Sequence, residues 1–291
     1  MYVPGRAGAP VPPTEIVWPV PEPAKVIFAG DWHADRSVSD AVLRQAGATG
    51  VDLIVQLGDF GLRRGITGDD FLDAVDARCA QTGVPVAWID GNQENFDLLE
   101  ETPVDPLTGL RVFREHVWQI PRASWWVWAG LRFVALGGAT SLDRHYRLPS
   151  RTWWPAEAIT AGQAATAVAA GPADVLLTHD CPAGVPVPGF TPEVFLRLWP
   201  QSEVRAARAN ADLVAEVARA LRPAVVLHSH LRIGHTTTVS AFGCQTRVVG
   251  LSDNLGLPEA NRTCVELDRL AEQIAVLRAV SAGPAAKEVD Q

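Results

Sequence analysis

The sequence predicts an α/β fold, a sheet carrying helices on its faces, and three observations lead there. Apolar runs of strand length alternate with helix-length stretches over the first third of the chain. Five apolar runs each lead into a short polar sequence containing Asp, Asn or His, as expected of strands that end at a common edge. A length of 291 residues with 47% apolar content allows one large α/β domain, or two small ones, with a sizeable core.

Taken in order, Lys25–Ala29 reads as the first strand. Ser39-Asp40 caps a helix running to about Ala46, and Asp52–Leu57 is the second strand. Asp69–Gln81 reads as a helix with an acidic N-terminal cap, ended by Gly83. Val84–Ile89 is a third buried strand, and Asn95–Glu101 begins another short helix. Trp125–Trp128 and Leu131–Leu136, joined through Ala129-Gly130, form a β-hairpin closing at Gly137-Gly138. The Arg-rich stretch Ala139–Pro155 is a long functional loop, and its Trp153-Trp154 pair is assigned to the core, with stacking of one ring on a nucleobase as the alternative. Ala156–Ala170 is a helix of very small side chains, Asp174–Leu177 a strand, Pro182–Pro188 rigid coil and Ser202–Leu221 a helix. Thr237–Phe242, Gln245–Leu251 and Thr263–Leu267 are the last strands. Seven prolines make residues 1–23 an extended, loose leader, and residues 279–291 read as a disordered tail. With no internal repeat and no interior linker, residues 24–278 form a single domain.

Composition excludes several functions. No apolar run approaches the ~18–20 residues of a membrane span. A net charge of −8 argues against holding nucleic acid by broad phosphate neutralisation. An anionic substrate must then be drawn in by local charge, from metal ions or a few arginines. The chain has 25 basic residues, of which lysines are Lys25 and Lys287 alone. Its four cysteines (Cys79, Cys181, Cys244, Cys264) form no C-x-x-C pair and read as reduced thiols. Lacking a secretory signal pattern, the chain is expected in the cytoplasm.

His228-Ser229-His230 closes the apolar run Ala224–Leu227. Two imidazoles one residue apart at a strand mouth can turn to the same point only in irregular backbone. Neutral imidazole is the commonest metal ligand. The other strand ends supply companions, namely Asp31 and His33, Asp59, Asn92, and His179. Together they predict one shared metal site.

Their order and spacing resemble the calcineurin-like metallophosphoesterase superfamily, whose signature runs D-x-H, G-D, G-N-H-[DE], a lone His, then H-x-H. The resemblance covers roughly residues 25–267. It implies a four-layer α/β/β/α sandwich with a di-metal site at the strand C-terminal ends. One ion would be held by Asp31, His33, Asp59 and His230. The other would be held by Asp59, Asn92, His179 and His228, with Asp59 bridging. Two divalent ions ~3.5–4 Å apart clamp phosphate oxygens and generate a hydroxide for direct attack on phosphorus. The mixed N/O donor set suits Mn above all, with Fe or Zn as alternatives.

Where the family has G-N-H, this chain has Gly91-Asn92-Gln93-Glu94. The family histidine protonates the leaving oxygen, and an amide cannot. Asp59, Asn92 and Gln93 are therefore the expected catalytic residues, with His145 the substitute acid to test first. Arg63, Arg144, Arg147 and Arg151 are the candidates for phosphate oxygens, and Arg64 could assist. The loop from Gly137 to Pro155 is similar to a bacterial and phage branch of the superfamily. The implied substrate is a phosphodiester or an activated phosphomonoester, more a small molecule or nucleotide than a protein, with no stable nucleic-acid or membrane partner. The alternatives are a metal- or nucleotide-binding protein with little turnover, and a Ser/Thr-type phosphoprotein phosphatase. The last is weakened because Leu62 stands where the phosphatase pattern G-D-x-x-D-R-G has Asp.

Overall fold

A computed structural model describes residues 12–190 and 197–282. Parallel strands buried on both faces are expected to be near-continuously apolar, and the central ones are. Strands β2 (Lys25–Ala29), β3 (Leu53–Gln56), β4 (Val86–Trp88) and β6 (Val117–Gln119) run parallel. They form a sheet with β13 (Arg262–Glu266) and β5 (Arg111–Arg114) at its edges, in the order β13-β2-β3-β4-β6-β5. The second sheet has the order β1-β7-β8-β9-β10-β12-β11. Its strands are β1 (Thr14–Glu15), β7 (Ser124–Trp128), β8 (Leu131–Leu136), β9 (Val175–Thr178), β10 (Val225–His228), β11 (His235–Val239) and β12 (Thr246–Gly250).

Side chains alternate across each strand, and so each sheet serves two cores. Phe28, Val55 and Ala87 from the first sheet meet Trp126, Phe133, Leu177 and Leu227 from the second. The opposite face of the first sheet, with Ile27, Ile54 and Trp88, packs on Leu43 of α1 (Arg36–Ala48) and Phe71 of α2 (Ile66–Thr82). The opposite face of the second, with Val134, Leu176 and Val226, packs on Ala167 of α4 (Ala161–Ala169) and Val214 of α5 (Gln201–Leu221). The result is the four-layer α/β/β/α sandwich. Between α2 and α4 lies the short α3 (Phe96–Glu101), and the described chain ends in α6 (Leu267–Ala282).

Register places the functional loops. Ala29 pairs with Gln56, and Gln56 with Trp88, so the segments after β2, β3 and β4 leave the sheet side by side. Leu177 pairs with Leu227, bringing the ends of β9 and β10 together on the other sheet.

Several expectations are corrected. The cap of α1 is Asp35, whose carboxylate accepts from the amides of Ser37 and Val38; Ser39 lies buried one turn into the helix. Helix α2 begins at Ile66 behind Gly65, with no acidic side-chain cap. In 156–170 the helix starts only at Ala161, because Pro155–Glu157 forms a separate 3-10 turn and Thr160 with Gln163 builds a capping box. The leader is not loose where it is described: Thr14–Glu15 pairs with Ser124-Trp125, and the Trp18 ring packs on Trp126 and Trp128. The helix α6 reaches Ala282, past the expected start of the tail at 279; residues 283–291 lie outside the described residues, as do 1–11 of the leader. Strands β5 and β6 and helix α6 had no counterpart in the sequence reading.

The N-cap assignment is testable. Asp35→Ala should lower stability by about 1 kcal/mol, read as a shift in the urea midpoint. Asp40→Ala should cost less, since Asp40 faces Arg44 and Arg78 on the surface. A larger loss for Asp40→Ala would return the cap to the Ser39-Asp40 position.

Candidate metal centre

Three side chains at this edge sit on backbone that L-residues rarely adopt. His33, Asp59 and His230 have φ of 51°, 54° and 62°. Such conformations cost about 1–3 kcal/mol each and persist only when the surroundings impose them. Here the surroundings do. Two carbonyls flanking the site, those of Gly30 and Gly58, accept from the buried Gln56 amide, at 2.9 and 2.5 Å. Glu94 accepts from the amides of Phe60, Gly61 and Leu62 at 2.7, 3.0 and 2.7 Å, fixing the turn after Asp59. Burial and the Asp59 charge push Glu94 up to about 7, against the pull of those amides.

The aspartate that results faces two ways. Asp59 Oδ2 lies 3.7 Å from His33 Nδ1, and Asp59 Oδ1 lies 3.4 Å from His179 Nε2. Donor atoms of Asp31, His33 and Asp59 all lie within 4.8 Å of one another. On the other side, His179 Nε2 is 3.2 Å from Asn92 Oδ1. The rings of His179 and His230 are 5.0 Å apart, and the His230 amide donates to Asp31 Oδ1 at 3.3 Å. Glycine is required beside this cluster: a Cβ at Gly91 would overlap Asp59 Oδ1, and one at Gly58 would overlap the His179 ring.

A cation fits these residues. His228 Nε2 is a buried polar atom with no hydrogen-bond partner, a state costing about 1–3 kcal/mol, while Asp31 Oδ2 and His33 Nε2, also without a hydrogen bond, lie 3.5 Å from each other. A divalent ion satisfies carboxylate and imidazole lone pairs together. His179 is prepared for this role, since its Nδ1 lies 2.7 Å from the Leu57 carbonyl and Nε2 is left to face Asp59 and Asn92.

Charge is arranged to match. Burial would raise the Asp59 carboxyl, but the imidazoles of His179, His33 and His230 hold it well below the usual range. Burial opposes a charge on His179, yet the Asp59 carboxylate outweighs it and raises that imidazole to about 10. His33 moves up for the same reason, its burial outweighed by Asp31 and Asp59. Burial pushes His228 down to about 3 and lowers His230, so both are neutral donors at physiological pH. A metal ion bound at His179 Nε2 would displace the proton that the Asp59 carboxylate favours there.

Asn92 is aimed by a chain that sequence reasoning missed. Its Nδ2 donates to Ser141 Oγ at 2.9 Å. The hydroxyl and amide of Ser141 both donate to Glu157, each at 2.6 Å. All three residues are buried. Ser141 and Glu157 lie in and just beyond the Arg-rich loop, with no motif spacing to mark them. Ser229, between the paired histidines, donates to the Leu57 carbonyl at 2.6 Å. His235 was also unread; its ring is 5.1 Å from that of His228.

The arginines divide. Arg63, Arg64, Arg147 and Arg151 line one cleft of about 720 Å³ together with Gln93. The Gln93 backbone amide donates to Asp59 Oδ1 at 2.8 Å, which ties this cleft to the cluster. Arg144 and His145 are not among the cleft's walls. Arg144 instead pairs with the buried carboxylate of Glu203 at 3.0 Å and lies over the Trp153 ring. His145 is exposed, with its ring against Tyr146 and Trp199. Trp154 is buried, 6.5 Å from Phe96, in keeping with a core assignment.

The sequence matches the family described as calcineurin-like phosphoesterase over residues 24–231. No curated protein matches it. A crystal structure of a dimetal phosphatase from Danio rerio is similar in fold, at 13% identity over 84% of this chain and 92% of that one, with a TM-score of 0.51. A Thermus thermophilus protein of known crystal structure is 16% identical over 79% of this chain and 90% of its own, with a TM-score of 0.49.

The orienting chain predicts its own loss. Ser141→Ala should leave Asn92 free to rotate and weaken binding of one of two divalent ions by about 10–100-fold, measured by competition with a chelating dye. Unchanged affinity for both ions would show that Asn92 is not held by Ser141.

Proposed function

Because the chain belongs to the calcineurin-like phosphoesterase family, and is a hydrolase acting on phosphate ester bonds, we propose that it cleaves a phosphodiester or an activated phosphomonoester at a two-metal centre. The observation that carries this reading is Asp59, whose two oxygens face two separate groups of donors. Asp31, His33 and His230 would complete one site, and Asn92, His179 and His228 the other. The mixed N/O donors favour Mn, then Fe or Zn. Bound there, the ions would offset phosphate charge and lower the pKa of water towards neutrality.

The chain's own residues determine what happens to the leaving group. Attack by water oxygen on phosphorus breaks the ester P–O bond, and an alkoxide leaving group then needs a proton. Gln93 stands where a donor is wanted and can offer only an amide hydrogen bond. Aryl and other stabilised leaving groups depart without that proton, which is why activated esters are the proposed substrates. Arg63 and Arg151 would hold non-bridging phosphate oxygens or a neighbouring anionic group. The buried thiols do not compete as nucleophiles: burial pushes Cys79 up to about 12 and raises Cys181 as well. Four free cysteines suit a cytoplasmic setting. A cleft of this size suits a small molecule or nucleotide.

Gln93 also supports a second reading, a metal- or nucleotide-binding protein with little turnover. A phosphoprotein phosphatase is disfavoured by Leu62, which is packed into the core where that pattern needs a polar Asp.

With Mn²⁺ supplied, the protein should hydrolyse bis(p-nitrophenyl) phosphate and act far more slowly on an alkyl phosphomonoester. Gln93→His should raise alkyl turnover by about 10²-fold or more and aryl turnover much less, while His145→Ala should change neither. Equal gains on both esters would discredit the general-acid account. Absence of aryl turnover from a protein with both ions bound would favour the binding reading.

A further inference from the structure

The cleft beside Gln93 is lined by four arginines, Arg63, Arg64, Arg147 and Arg151, against the carboxylates of Glu94, Asp97 and Asp143. Its arginines are not equivalent. Arg147 is committed to Asp143 through two bonds of 2.8 and 2.9 Å. Arg64 is held by Glu101 at 2.8 Å, with Asp97 nearby. Arg63 and Arg151 have no carboxylate partner among the described residues. Arg63 spends one N–H on the His33 carbonyl at 3.1 Å, which sets it beside the metal-donor cluster and leaves its other donors available. Arg151 is exposed at the far loop.

A second feature points the same way. Arg64 and Thr67 of the cleft flank the N-terminus of α2, whose cap residue Gly65 makes no side-chain hydrogen bond. The first-turn amides of a long helix attract anions when no side chain caps them. The one acidic residue of that turn, Asp69, lies 3.6 Å from Arg114. On a chain of net charge −8, two arginines without carboxylate partners in one cleft, with Thr67 of the uncapped helix start in its wall, form a local site for an anion.

Resting on the two-metal reading above, we propose that this cleft is a second phosphate subsite, and that the substrate carries a further phosphate beyond the one at the metal centre. Arg63, bonded to the His33 carbonyl, joins the cleft to the metal-donor cluster, and Arg151 with the start of α2 receives the distal group. A bisphosphorylated nucleoside has this chemistry.

The test compares thymidine 3′,5′-bisphosphate with thymidine 5′-monophosphate, titrated calorimetrically into the Mn²⁺-loaded protein. The bisphosphate should bind at least about tenfold more tightly, the scale of a hydrogen-bonded charge contact. That ratio should shrink to about twofold or less in Arg151→Glu and in Arg63→Ala. Arg269→Glu, a reversal at a surface arginine paired with Glu266 on the opposite part of the chain, should keep the full ratio. Equal affinity for the two nucleotides, or a ratio that survives both cleft variants, would overturn the subsite. A ratio that falls equally in Arg269→Glu would reduce it to general electrostatics and also overturn it. Preference for the bisphosphate without any aryl diester turnover would keep the subsite and remove the hydrolytic reading, while turnover without preference would do the reverse.

Discussion

The two oxygens of the Asp59 carboxylate face imidazoles that come from different sheets. Its Oδ2 faces His33, from the loop after β2, and its Oδ1 faces His179, from the end of β9. The side chain is fully buried and surrounded by imidazoles. Such a group is tolerable only if positive charge compensates it, because an ionised carboxylate in a low-dielectric interior is otherwise very costly. In the protein alone the imidazoles of His179 and His33 lie against it, and its charge raises both. Divalent ions supply the compensating charge, and they also satisfy the atoms without a hydrogen bond on Asp31, His33 and His228.

Much of the surrounding structure holds this one side chain in place. Asp59 keeps a left-handed backbone because Gln56 ties its loop to the loop after β2, while Glu94 ties down the three amides that follow. Gly58 and Gly91 are needed on either side because any Cβ would intrude on Asp59 or His179. Asn92 and Gln93 each donate a backbone amide to Asp59 Oδ1 at 2.8 Å. The strained backbone at His33, Asp59 and His230 is thus opposed by hydrogen bonds from both sheets.

What the sequence revealed follows from range. Donors placed directly at strand ends were legible, because a break from apolar run to Asp, Asn or His is a local signal. The central parallel strands and the α5 helix were legible for the same reason. Asp35 was missed because Ser39-Asp40 offers an equally plausible cap nearby, and only the structure shows which oxygen reaches the free amides. Ser141 was invisible because it acts on Asn92 across 49 positions of chain, and Glu157 acts from further still, with no spacing rule to connect them. Arg144 and His145 misled because charge in a loop beside a site says nothing of direction. Glu203, far along the chain on α5, claims Arg144 and turns that part of the loop away.

The account stands on Asp59 bridging two ions. The most direct measurement is the metal content of the purified protein and of its Asp59→Asn variant after equilibration with Mn²⁺, by elemental analysis against protein concentration. The account predicts two ions per chain in the parent and the loss of both in the variant, with the variant still folded. Two ions retained by Asp59→Asn would contradict it.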